Sequence, residues 1–357
     1  MRSVLFFLPR ALVVFALVVT TAAAPSAYAQ SPDNPPDSKA QEKDQKPKGS
    51  DKKEPQVSDG ERQLLNKINA ATDSTAKLQA AAEYSKKYPK SSMRPQVIKH
   101  ISAEIARVPD PAQQIALAEN FVTIFTGPGE ADLINPLLIE AYNKAGRLDD
   151  SFRIADVQLK KNPNDVTLLT QMTLLGIDQA RSKNPKYVPQ SVKYGAVAIE
   201  LIETNKKPEG MDAAAWSEYQ TRWLPLLYQY LGLASLMSNE REEAKARLRK
   251  SAEINASDPL TFMYLGILVN QEYQDLAEEH KKVGDGPLKA DSLKAAQAKM
   301  DEVIELFAHF VALSEGNAQL KAAHDQVLTD LTSYYQYRNK GSKEGLDQLI
   351  AKYKKAQ

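Results

Sequence analysis

The chain has 357 residues, 43% of them hydrophobic, with 46 Lys and Arg against 45 Asp and Glu and no cysteine. A formal charge of +1 leaves no net field to draw it to nucleic acid or to an anionic membrane. The missing cysteines exclude disulfides, thiolate metal sites, a cysteine nucleophile and a lipid anchor on cysteine.

Residues 1–29 read as a cleaved secretory signal. Arg2 and Arg10 give the basic start, Ala11 to Ala24 the apolar run, and Ala27-Tyr28-Ala29 the small residues before cleavage at Gln30. That run falls short of the roughly 20 apolar residues a membrane-spanning helix needs. Residues 30–57 carry Pro32, Pro35, Pro36, Pro47 and Pro55 among balanced Lys, Asp and Glu. They offer almost nothing apolar to offset the entropy of ordering, so this stretch is expected to be a disordered linker.

From Ser58 to the end, residues 58–357, the pattern is helical. Ser58 caps a helix with Leu64, Leu65 and Ile68 on one face, and Asp73 opens a second that stops at Tyr88-Pro89. Pro95 opens a third, ended by Val108-Pro109, and Asp110-Pro111 a fourth, broken at Gly127-Pro128-Gly129. Asn135 to Pro163 reads as a hairpin turning at Gly146, and 166–204 keeps a helix–Pro–helix rhythm around Val188-Pro189. After two further hairpins come helices over 288–314 and 317–338, then a short Lys-rich helix capped by Ser342 and carrying Leu346, Leu349 and Ile350. No segment alternates with period two between turns, so no sheet is assigned.

The organising feature is an echo at a spacing of 34 residues, Tyr230-Leu231-Gly232 and Tyr264-Leu265-Gly266, each with a bulky ring (Tyr228, Phe262) three positions before the Leu. Ala244 and Leu248 follow the first pair, and Asn135-x2-Leu138-Ile139-x2-Tyr142 with Ala155 and Pro163 repeats the plan less closely. These segments resemble tetratricopeptide repeats (TPR). The resemblance implies an all-α solenoid of about seven helical hairpins, about fourteen helices in all, coiled as a TPR-like right-handed superhelix. It also implies a concave face lined by fixed positions of each unit. With the strong unit starting at Pro225, those positions are Leu226, Gln229, Leu233, Leu236 and Met237. In the next unit they are Leu260, Met263, Ile267, Asn270 and Gln271. In the 135–163 unit the outward set includes Glu140, Asn143 and Lys144. The first two sets mix apolar residues with amides, which suits an amphipathic helix or an extended peptide.

Catalytic and metal-binding patterns are missing from the sequence. His100, His280, His309 and His324 never pair at the spacing of a helical zinc site. His309 sits among Phe307, Phe310 and Val311 as packing, and Gly284-Asp285-Gly286-Pro287 follows a helix without the Lys of a phosphate loop. The reading is therefore of a non-enzymatic scaffold without cofactor or metal, exported to the periplasm or secreted, that binds a protein or peptide in the bacterial envelope. The alternative is an envelope protein that binds cell-wall glycan or a small ligand, or acts on one, inside the superhelix. It rests on Trp216, Tyr219, Trp223, Tyr228 and Tyr230, which could stack on sugar rings or form a core stripe.

Overall fold

A computed structural model of the chain describes residues 57–354; the expected signal and nearly all of the expected linker lie outside the described residues. Within them are fourteen α-helices, three single-turn 3-10 segments and no strand. No helix there is long and apolar enough to cross a membrane. The helices fall into two compact units, divided in sequence between Pro163 and Asn164. The sequence reads 58–357 as one run of hairpins, because Pro163 looks only like another helix end.

The first unit contains α1 (Asp59–Ala70), α2 (Ser74–Lys87), α3 (Arg94–Ala106), α4 (Pro111–Ile124), α5 (Asn135–Lys144) and α6 (Leu148–Lys161), paired as hairpins in chain order. Side-chain oxygens accept the free N–H groups at the helix starts. Ser58 Oγ takes Glu61 N at 3.3 Å, and Asp73 Oδ1 takes Ala76 N at 2.9 Å. The loop after α4 is held by Arg94, whose Nε and Nη2 donate to Glu130 at 2.6 and 2.8 Å, while Glu130 also accepts Gly127 N at 2.8 Å. The α5–α6 turn passes through Gly146 at φ 72°, a conformation that excludes most side chains.

The second unit contains α7 (Val166–Arg181), α8 (Val188–Glu203), α9 (Ala213–Met237), α10 (Arg241–Ile254), α11 (Pro259–Lys282), α12 (Pro287–Ser314), α13 (Lys321–Arg338) and α14 (Leu346–Ala351). Here α7 packs on α8, α9 on α10 and α11 on α12, and the first helices α7, α9 and α11 are neighbours in that order. Close approach depends on glycine. A methyl at Gly232 would come within 2.7 Å of Leu248 on α10, and one at Gly266 within 2.5 Å of the Phe307 ring on α12. The repeat echo thus marks where the two helices of each hairpin touch. A charged strap crosses three helices: Lys245 and Lys299 reach Glu272 at 2.5 and 2.9 Å, and Glu302 joins Lys299 to Arg249, each at 2.8 Å.

Two boundaries differ from the sequence reading. Pro225 does not open a helix; it lies inside the 25-residue α9, which Asp212 caps by accepting Ala215 N at 2.8 Å. The long helix survives because its first turns are held by packing and capping upstream of the proline, which removes only one ladder donor. Ser342 does not cap α14; it accepts Glu344 N at 3.1 Å in the loop, and the six-residue α14 starts after Gly345. The short α14 lies on α12 and covers part of it as a cap. That cap is fixed by His309 of α12, sandwiched between Phe262 (ring centroids 3.5 Å apart) and Tyr353 (4.3 Å).

Candidate protein-interaction face

The groove residues anticipated from the sequence separate once placed. Gln229 is buried, and its amide nitrogen donates to Thr261 Oγ1 at 2.8 Å and to Asp258 Oδ2. It ties α9 to the start of α11 and offers nothing to a ligand. Leu233 and Met263 are also buried, at 8% and 3% exposure, so their anticipated place on an open face is corrected: protein packing covers them. Leu236, Ile267, Asn270 and Gln271 are half-buried, Leu226 and Leu260 likewise, and Met237 is 44% exposed. Asn270 Oδ1 accepts the Tyr334 hydroxyl of α13 at 2.8 Å, which takes up part of that side chain.

Asn143 and Lys144 belong to the first unit and are described with it alone. Lys144 is exposed and paired with Glu140 at 2.7 Å, an arrangement worth little in water. Asn143 is half-buried, and its Oδ1 is shielded from solvent with no hydrogen-bond partner.

The structure adds a cluster that the sequence reading overlooked. Near the end of α7, Arg181 Nη1 donates to Asp178 Oδ1 at 3.0 Å, and the Tyr230 hydroxyl from α9 donates to both Asp178 oxygens at 3.1 and 3.2 Å. Tyr264 of α11 stands near enough to feel both charges. Burial raises the Asp178 carboxyl pKa despite Arg181 and Tyr230 beside it. Burial likewise pushes the Tyr230 hydroxyl up, and the Asp178 charge adds to it. Burial works against the Arg181 charge, yet Tyr264, Asp178 and Tyr230 together hold the guanidinium pKa above its usual range.

A third Leu-Gly pair, Leu175-Gly176 in α7, was the signal that could have found this cluster. Counting from each glycine, Arg181, Met237 and Gln271 all stand five residues on, at equivalent places of α7, α9 and α11. Counting back two, Tyr230 and Tyr264 are equivalent as well. The spacing between the α7 and α9 pairs is not 34, because an extended loop and the early turns of α9 intervene. That irregularity hid the register.

In the aromatic run on α9, Trp216 and Tyr230 are buried and Tyr219, Trp223 and Tyr228 half-buried. Trp216 is 4% exposed, its indole N–H donates to Asn205 Oδ1 at 2.7 Å, and its ring stacks on Tyr219 at 5.6 Å. Tyr219 donates in turn to Val166 O and Thr170 Oγ1 at 3.1 and 2.8 Å. Trp216 and Tyr219 thus pack against protein, as in a core stripe. Among the described residues no group of His, Asp and Glu is arranged to hold a metal ion.

No known family profile matches the chain, and no curated protein does. Among solved structures, it is similar to a crystal structure of a tetratricopeptide repeat protein from Parabacteroides merdae. The TM-score is 0.36 at 12% identity, over 82% of this chain and 98% of that one. The hairpins are TPR-like on their own packing: paired helices, glycines at the contact, and first helices side by side.

Proposed function

We propose that the chain is a non-enzymatic helical-repeat scaffold of the bacterial envelope that binds a protein or peptide along the first helices of its second unit. The observation that carries this reading is the row of equivalent positions Arg181, Met237 and Gln271 on the three neighbouring first helices α7, α9 and α11, with Met237 exposed and Arg181 and Gln271 half-buried. A row in register across neighbouring helices gives a partner several anchors at once, and a solenoid's action is of this kind. The near-neutral charge and the export signal read at the N-terminus support a protein partner outside the cytoplasm. Asn143 and Lys144 are proposed as a second contact on the first unit.

Affinity capture from periplasm with the wild-type chain and with Met237→Arg tests this. Met237 is exposed, so the variant keeps the fold, whereas a charge at buried Met263 would unfold it. The reading predicts a defined partner retained by wild type and lost with Met237→Arg at unchanged thermal stability. Equal capture by both, or no partner at all, contradicts it.

A further inference from the structure

Seven methionines and no cysteine make thioether sulfur the group through which this chain can undergo reversible oxidation. Thiols, where a protein has them, intercept peroxides first; here none competes.

Burial separates the six methionines within the described residues. Met172, Met263 and Met300 are buried, and Met93 and Met211 are half-buried. Met237 is 44% exposed. It is the last residue of α9 and is followed by exposed Ser238 and Asn239, so an oxidant reaches its side chain without opening the core. The same residue is the apolar member of the row Arg181, Met237 and Gln271. Oxidation there changes the face and spares the fold. A sulfoxide adds one oxygen to the thioether and turns an apolar, adaptable side chain into a polar one. Beneath a partner's apolar group that oxygen is buried without a donor, which weakens the contact. At Met263 or Met300 the same change would disrupt the core, and burial protects both.

We infer that Met237 is a reversible oxidation site, and that its conversion to the sulfoxide by a peroxide turns off partner binding at this face. The inference rests on the scaffold reading above and adds its regulation. In the step, a lone pair on Met237 Sδ attacks one peroxide oxygen; the O–O bond breaks and an S–O bond forms. Sulfur loses two electrons and the peroxide gains them, and with hydrogen peroxide the second oxygen leaves as water. Reversal takes a dithiol, which becomes a disulfide as the sulfoxide oxygen leaves as water. This chain has no thiol, so another protein supplies that reductant.

The test uses the purified full chain with a photoreactive phenylalanine at position 271. It is treated with graded hydrogen peroxide, freed of it with catalase, mapped by peptide mass, and then irradiated in periplasmic extract. Met237 should gain one oxygen before any other methionine, at unchanged melting temperature. The protein adduct from position 271 should then fall on the order of tenfold, the effect of burying one unpaired polar group, and return after methionine sulfoxide reductase and dithiothreitol. Met237→Leu keeps the size and apolarity without the sulfur. Whatever its own adduct level, that level should be the same before and after peroxide. Oxidation of Met93 or Met211 at the same dose, or a fall in melting temperature with the first oxygen, overturns the site. An adduct unchanged by Met237 oxidation overturns the switch and leaves the scaffold reading standing. An equal fall in Met237→Leu overturns the assignment to Met237. No adduct from the untreated chain contradicts the scaffold reading and the switch with it, while the peptide map still decides the oxidation site.

Discussion

His309 is the residue whose chemistry reports most directly on the C-terminal cap. Burial lowers its pKa and Lys352 lowers it further, while the Ala256 carbonyl and Glu305 oppose them. The folded chain therefore holds neutral imidazole, packed between Phe262 and Tyr353, and the unfolded chain takes up a proton below its ordinary pKa of about 6.5. The stabilisation is fully present above that pH and is lost as the pH falls towards the lowered folded value. His309→Phe keeps the ring sandwich without the titration. Thermal melting at pH of about 7 and about 5 should show a smaller fall for His309→Phe than for wild type. Identical falls would mean that the imidazole does not titrate differently on folding.

Residue identity alone gave the hydrophobic character of His309's surroundings, since Phe307, Phe310 and Val311 flank it in sequence. It did not give Phe262 or Tyr353, which arrive from α11 and from beyond α14. Gln229 shows the same limit. An amide at a groove-lining position reads as a peptide contact until the start of α11 is placed beside it, where Asp258 and Thr261 claim both of its donors.

At the scale of elements, hairpin closure rests on the glycines of the echo. At Gly266, alanine would gain about 1 kcal/mol of helix propensity. It would also drive a methyl to 2.5 Å from Phe307, a ring 3% exposed and packed near Tyr334. Overpacking of that kind costs about 1–3 kcal/mol, so Gly266→Ala should be a net loss. Chemical denaturation is expected to show a destabilisation of up to about 2 kcal/mol. A stabilised variant would show that α11 and α12 do not approach as described.

Helix existence and order were legible because the punctuation is local. Ser58, Asp73 and Asp110 cap by their own side chains, and prolines stand in first turns. What was not legible is set by tertiary contact. The α9 helix runs through Pro225 because Trp216 anchors its early turns on the turn after α8 and Tyr219 anchors them on α7. The short α14 owes its place to α12 and not to Ser342. The Asp178–Arg181–Tyr230–Tyr264 cluster needed α7 to be set in register with α9 and α11, and the uneven loop before α9 concealed that register.

At the scale of the molecule, the chain divides between Pro163 and Asn164 into two helical units, and the interaction face proposed above belongs to the second. Its anchors come from three different helices. The face therefore exists only while α7, α9 and α11 stay side by side, which ties partner binding to the glycine contacts and to the charged strap through Glu272.

The most direct measurement is site-specific photo-crosslinking in cells, with a photoreactive phenylalanine placed in turn at Met237, at Gln271 and at exposed Leu288, which lies at the start of α12. The account predicts the same discrete protein adduct from positions 237 and 271 and none from 288. No adduct at 237 and 271, or equal adducts at all three, would contradict it.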